Sequence, residues 1–128
     1  MRLLLDTHAL LWYTLADRRL SAPALSAISD PTNDVSVSVA SLWEIGIKVA
    51  KGSLKLHCPF PDFVLTAVTM PGFCFLGVSP SHIVDLLTLP PHHKDPFDRI
   101  MVAQARVEGR TLVTCDDKIV LYPVPTFW

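Results

Sequence analysis

A three-layer α/β/α fold around a mainly parallel central sheet of four to five strands is the architecture this sequence predicts. Short apolar or β-branched runs alternate with helical patterns along the whole chain. Strands separated by helices pair in parallel, because each return to the same sheet needs a crossover. No repeat, low-complexity tract or linker interrupts the 128 residues, so residues 1–128 are expected to form a single domain with one sizeable core.

Arg2–Leu5 is an apolar run suited to a buried strand, closed by Asp6. Thr7–Leu15 reads as a helix with Leu11 and Leu15 on one face and Trp12 beside them. After the polar break Asp17-Arg-Arg-Leu, Ser21 caps a second helix whose Leu25 and Ile28 should face inward. Asp30–Asp34 is a turn by composition. Val35-Ser-Val-Ser-Val39 alternates cleanly and reads as a second strand. It runs into a helix over Ala40–Lys51, stopped by Gly52, on which Glu44 and Lys48 are spaced to pair at the surface.

Ser53–Pro61 is loop-like, Phe63–Met70 a helix closed by Pro71-Gly72, and Phe73–Val78 a third strand. Ser79 opens a helix through Leu87, and a loop to Lys94 follows. Asp95 is then a good N-cap, with Pro96 at the first helical position and Ile100, Ala103 and Val107 forming an apolar stripe. Gly109 ends that helix. Thr111–Cys115 is a fourth strand, and Val124–Phe127 a last extended piece.

Hydrophobic residues make up 50% of the chain and the mean hydropathy is +0.38, rich for a soluble domain. Strands buried on both faces would absorb the excess, as would a surface covered by a partner. No apolar run is long enough to span a bilayer, and Asp6 interrupts the signal-like start; a cytoplasmic protein without a membrane partner is expected. Cys58, Cys74 and Cys115 lack metal-site spacing and are expected to be buried free thiols. The net charge is −1, yet setting four of the 12 acids aside leaves eight against 11 basic residues. A mildly basic rim around an acidic pocket suits a phosphodiester substrate.

Four acids invite that division. Asp6 follows the first strand and Asp116 the fourth; Glu44 lies early in the helix after the second, and Asp98 in the first turn of the helix before the fourth. In parallel sheets ligands gather at the carboxyl ends of the strands, where these positions fall. Each acid also has a plain reading as a cap or turn residue, Glu44 through a capping box with Ser41 and Asp98 through one with Asp95. If the four meet, their repulsion requires a cation between them. An all-oxygen set without His or Cys points to Mg²⁺ or Mn²⁺ rather than Zn²⁺. Such an ion lowers the pKa of a bound water and clamps a phosphodiester.

Several longer strings carry a resemblance: Leu-Leu-Asp6-Thr-His-Ala-Leu-Leu-Trp, Ser41-Leu-Trp-Glu44-Ile-Gly-Ile-Lys48, His-His-Lys-Asp95-Pro-Phe-Asp98-Arg-Ile-Met-Val-Ala-Gln-Ala, Leu-Val-Thr114-Cys-Asp116 and the closing Tyr122-Pro-Val-Pro-Thr. In this order they resemble the PIN-domain ribonucleases, specifically the VapC-type toxins of toxin–antitoxin pairs, over almost the whole chain. The resemblance implies a Mg²⁺-dependent endoribonuclease with Asp6, Glu44, Asp98 and Asp116 as catalytic and metal-holding residues, firmest for Asp6 and Asp98. Asp95 remains a cap with a supporting role. An RNA substrate and a small antitoxin lying over apolar helices are the implied partners, and homodimers are compatible with it. Rival readings are another Mg²⁺-dependent phosphoryl-transfer enzyme, such as a DNA nuclease or phosphatase, and a PIN-fold binding module with an idle site.

Around the acids, Thr114 is a candidate for holding the attacking water, although a structural role is the commoner one for a strand threonine. His92, His93 and Lys94 are candidates for phosphate contact, and Arg99 for contact with substrate or a site acid. Trp12, Trp43 and Met101 read as core residues.

Overall fold

Five short strands, all parallel, form the middle layer of a computed structural model that describes residues Met1–Trp128. The strands are β1 (Arg2–Leu5), β2 (Asp34–Ser38), β3 (Phe73–Leu76), β4 (Thr111–Val113) and β5 (Thr126–Phe127). Their spatial order is β3-β2-β1-β4-β5, with register pairs such as Leu4↔Ser36 and Leu4↔Leu112 across the central strand. The helices are α1 (Thr7–Thr14), α2 (Ala22–Ser29), α3 (Val39–Ala50), α4 (Phe60–Thr69), α5 (Pro80–Leu86) and α6 (Pro96–Val107), with a 3₁₀ turn at Ile119–Leu121. No helix is long and apolar enough to cross a membrane.

The central strand shows why the sequence can be so apolar. Leu3, Leu4 and Leu5 are all fully buried although they point to alternate faces, because helices cover both. Leu3 and Leu5 join Val35, Val37 and Val113 under α1, α2, α3 and α4. Leu4 and Leu112 face the opposite way, against Met101, Val102 and Ala105 of α6 and against Ile119 and Tyr122. Truncating Leu4 to Ala would cost about 2–5 kcal/mol, since a gap there is walled on all sides.

Helix starts follow their caps. Ser21 accepts from the Ala24 N–H at 3.1 Å, and Asp95 from Phe97 at 2.8 Å. β2 is one residue out of step with expectation. Ser38 caps α3 through the Ala40 N–H, so Val39 opens the helix instead of closing the strand. Likewise β3 stops at Leu76 and β4 at Val113, leaving Thr114 to Asp116 past the end of the strand, with the buried Thr114 still donating its N–H to the Phe127 carbonyl of β5 at 3.1 Å.

Some inward assignments are overturned. In α2 it is Ala24 and Ile28 that are buried, with Leu25 exposed, and Val107 is exposed at the last residue of α6. The thiols are all exposed: Cys58 lies in the loop before α4, Cys74 points away from the core on the edge strand β3, and Cys115 lies past the end of β4. Trp43 is 66% exposed rather than core, Trp12 is half-buried and Met101 is fully buried.

Candidate metal centre

Strand order reverses direction at β1: the chain builds β2 and β3 to one side, then crosses to β4 on the other. The crevice beside such a switch point is where open parallel sheets take ligands. Asp6 stands at the end of β1 and Asp116 three residues past β4, its direct neighbour. Helix α6 begins at the same edge and brings Asp98, while α3, leaving β2, brings Glu44.

Asp6 performs two tasks. One carboxylate oxygen, Oδ1, caps α1 by accepting from the Ala9 N–H at 2.6 Å, so the cap reading is correct. The side chain is also buried beside Thr114 and close enough to Asp116 to feel its charge. Burial pushes its carboxyl above the usual range, with bonds from Thr114 and the Ala9 N–H pulling the other way. Thr114 itself is buried and accepts from the Asp116 N–H at 3.1 Å, so it braces both acids.

Glu44 is buried rather than a surface residue. The capping-box reading fails because Ser38 is the cap and Ser41 lies inside the helix. The Glu44 carboxylate is instead held by the Thr7 hydroxyl at 2.7 Å on Oε1 and by Lys48 at 2.8 Å on Oε2. The expected Glu44–Lys48 pair therefore forms, but with its acid end inside the protein.

Asp98 is not the cap of its helix; Asp95 takes that role, so the Asp98 carboxylate is not spent on the helix N-terminus. Burial, then the charges of Asp95 and Glu44, push the Asp98 carboxyl up to about 7, with His93 opposing and Asp116 adding. For Asp116, burial raises the pKa but is outweighed by His93 and by the Lys118 and Ile119 N–H groups, so its carboxyl lies below the usual range.

His93 is the residue sequence reasoning placed wrongly. Rather than reaching outward for phosphate, its Nε2 lies 3.1 Å from Asp98 Oδ2 and 3.0 Å from Asp116 Oδ2. Its Nδ1 accepts from the Asp95 N–H at 3.0 Å, which leaves the proton of the neutral ring on Nε2, between the two acids. The donor atoms of His93, Asp98 and Asp116 all lie within 4.8 Å of one another. The one sequence signal was proximity, since His93 precedes the Asp95 cap by two residues. Arg99 touches no site acid: its guanidinium binds the Pro90 carbonyl and the Tyr122 hydroxyl, pinning the loop before α6. His92 packs edge-on against Tyr122.

The donor set suits a hard divalent cation. The atoms close enough to share one ion come from two carboxylates and one imidazole rather than from oxygens alone, and Asp6 and Glu44 lie outside that group. Asp98 is pushed up to about 7 by burial first and then by the charges of Asp95 and Glu44. Two open grooves flank it. Asp6, His8, Trp12, His93, Asp116 and Lys118 line one. Glu44, Lys48, Lys51, Lys94 and Asp95 line the other, which adjoins a wholly apolar groove containing Val39, Trp43, Ile83 and Phe97.

A sheet of this order with acids at its switch point defines a class, and the PIN domain family model matches residues 3–124; the chain belongs to that family. Among particular relatives, it is 27% identical over 117 residues to Ribonuclease VapC22 of Mycobacterium tuberculosis (strain ATCC 25618 / H37Rv), covering 91% of this chain and 88% of the relative. The fold is also similar to solved structures of VapBC2 from Rickettsia felis bound to a promoter DNA fragment and of FitAcB from Neisseria gonorrhoeae. The TM-scores are 0.72 and 0.70, at 15% and 17% identity. The first covers 99% of this chain and 98% of that one, the second 98% and 96%.

Proposed function

We propose that this chain is a Mg²⁺-dependent endoribonuclease, with Mn²⁺ an acceptable substitute, acting as the toxin of a two-protein module restrained by a small antitoxin. The observation that carries it is the gathering of carboxylates at the switch point, with Asp98 pushed up to about 7 by burial and then by the charges of Asp95 and Glu44. A relative named as a ribonuclease and fold neighbours from toxin–antitoxin complexes support the same reading. The exposed apolar groove around Trp43 supports a partner that covers it.

In this mechanism Asp6, Glu44, Asp98 and Asp116 would hold the metal, with Asp6 and Asp98 as its principal contacts. When bound, the metal supplies an activated water and charge compensation at the phosphodiester. Thr114 fixes Asp6, and Thr7 and Lys48 fix Glu44, so the acids are oriented before substrate arrives. The Lys94 side of the cluster offers cationic groups to the substrate backbone.

The test is cleavage of RNA, DNA and a phosphomonoester by purified protein with Mg²⁺ or chelator, with Asp98→Asn as control. Metal-dependent cleavage of RNA alone, lost in the folded variant, is the expected result. Cleavage of DNA or release of phosphate would favour another phosphoryl-transfer enzyme, and no activity on any substrate would favour a binding module.

A further inference from the structure

The two grooves beside the acids differ in chemistry. On the α3 side, three lysines face two acids, and of the lysines only Lys48 is engaged in an ion pair, with Glu44. Lys51 and Lys94 are exposed and free to meet phosphate. On the α1 side, Asp6, Asp116 and Asp117 face a single lysine, Lys118, and this excess of carboxylates repels a phosphate. What that side offers instead is ring surface. Exposed His8 lies against Trp12 with ring centroids 5.3 Å apart, tilted by 32°.

Trp12 is fixed from other directions too. Trp128 meets it edge-on at 5.7 Å, and the Arg19 guanidinium lies 5.1 Å from its centroid while paired with Asp17 at 2.8 Å. A ring clamped in this way is a rigid backing, and His8 is its accessible outer layer. Rigid rings beside a charged track are how single strands are held without sequence readout.

We propose that a single strand of nucleic acid crosses the carboxylate centre with phosphates on Lys51 and Lys94 and a base stacked on His8, which Trp12 backs. This rests on the ribonuclease reading above. It divides the substrate contacts in two: the lysine side carries salt dependence, and the ring side carries base dependence.

Binding of short single-stranded RNA by fluorescence anisotropy, across a salt series, separates them. Asp98→Asn serves as the background so that no cleavage occurs. Adding Lys51→Gln with Lys94→Gln should weaken binding and flatten the slope of log K against log salt by about 1.4, from about 0.7 per phosphate contact on a single strand. Adding His8→Ala should weaken binding by roughly 5- to 150-fold with the slope unchanged, the range alanine substitution at a stacking position gives. His8→Phe should restore it. One abasic position in the RNA should mimic His8→Ala and add nothing to it.

If the lysine variant keeps the slope, or if His8→Ala and the abasic scan both leave binding intact, the proposal is overturned. Should His8→Ala not fold, His8→Phe and the abasic scan decide it alone: binding that survives every abasic position overturns it. Failure of the wild type to cleave RNA is a separate result and overturns the ribonuclease reading itself.

Discussion

The Thr7 hydroxyl on α1 donates to Glu44 Oε1 on α3 at 2.7 Å, so the residue after one site acid aims another. Thr7→Val keeps the shape and removes the donor, leaving a buried carboxylate oxygen unsatisfied. Stability should fall by about 1–3 kcal/mol, and metal-dependent cleavage should fall with it. Urea unfolding and a cleavage assay check this. Unchanged values in both would mean that Lys48 alone positions Glu44.

Asp98→Asn and Asp116→Asn should move metal-free stability in opposite directions at neutral pH. Asp98 has a raised folded-state pKa, so its ionised form destabilises the fold. That cost grows as pH rises from about 4, the unfolded value, to about 7, the folded one, and is constant above. Removing the charge therefore stabilises the protein above pH 7 and has little effect near pH 4. Asp116 has a lowered pKa, so its contribution is present above the unfolded value and is lost as pH falls through the folded one. Asp116→Asn should be destabilising at neutral pH. Chelator-treated protein unfolded in urea across pH 4–8 gives both curves; parallel curves for the two variants would sink the assignment.

The expected fold was legible because its signals are local. The alternation of Val35 and Val37, the caps Ser21 and Asp95 and the apolar run Leu3–Leu5 each lie within a few residues of what they cause. Positions for Asp6 and Asp116 followed from strand ends. The role of His93 did not, because its contacts depend on how the loop before α6 folds back over Asp116. Exposure of Trp43 and Leu25 was also illegible, since apolar character says what a residue prefers and not whether a neighbour arrives to cover it.

His93→Ala should make the protein lean on added metal. His93 Nε2 stands between the Asp98 and Asp116 carboxylates. Without it the two acids face each other directly, and stability in chelator should fall. Mg²⁺ should then raise the melting temperature more in the variant than in the wild type. An equal Mg²⁺-induced rise in both would show that His93 plays no part in balancing the pair.

Metal uptake should release protons near neutral pH and not at alkaline pH. With Asp98 titrating at about 7, part of the population carries a proton there that a cation must displace. Calorimetry of Mg²⁺ binding at pH 6.5 in buffers of different ionisation enthalpy should show release of up to about one proton, and almost none at pH 8.5. Heats independent of buffer at pH 6.5 would place the metal away from Asp98.

Asp6 is made more than a hundred residues before Asp116, and β1 acquires its β4 neighbour only after β2 and β3 have been made. The edge strand that flanks β4 comes later still. A growing chain thus holds Asp6 and Glu44 long before it can gather all four acids. The four acids therefore gather only once β4 has emerged and docked beside β1, so synthesis of Asp6 and Glu44 is separated in time from the appearance of the acidic pocket.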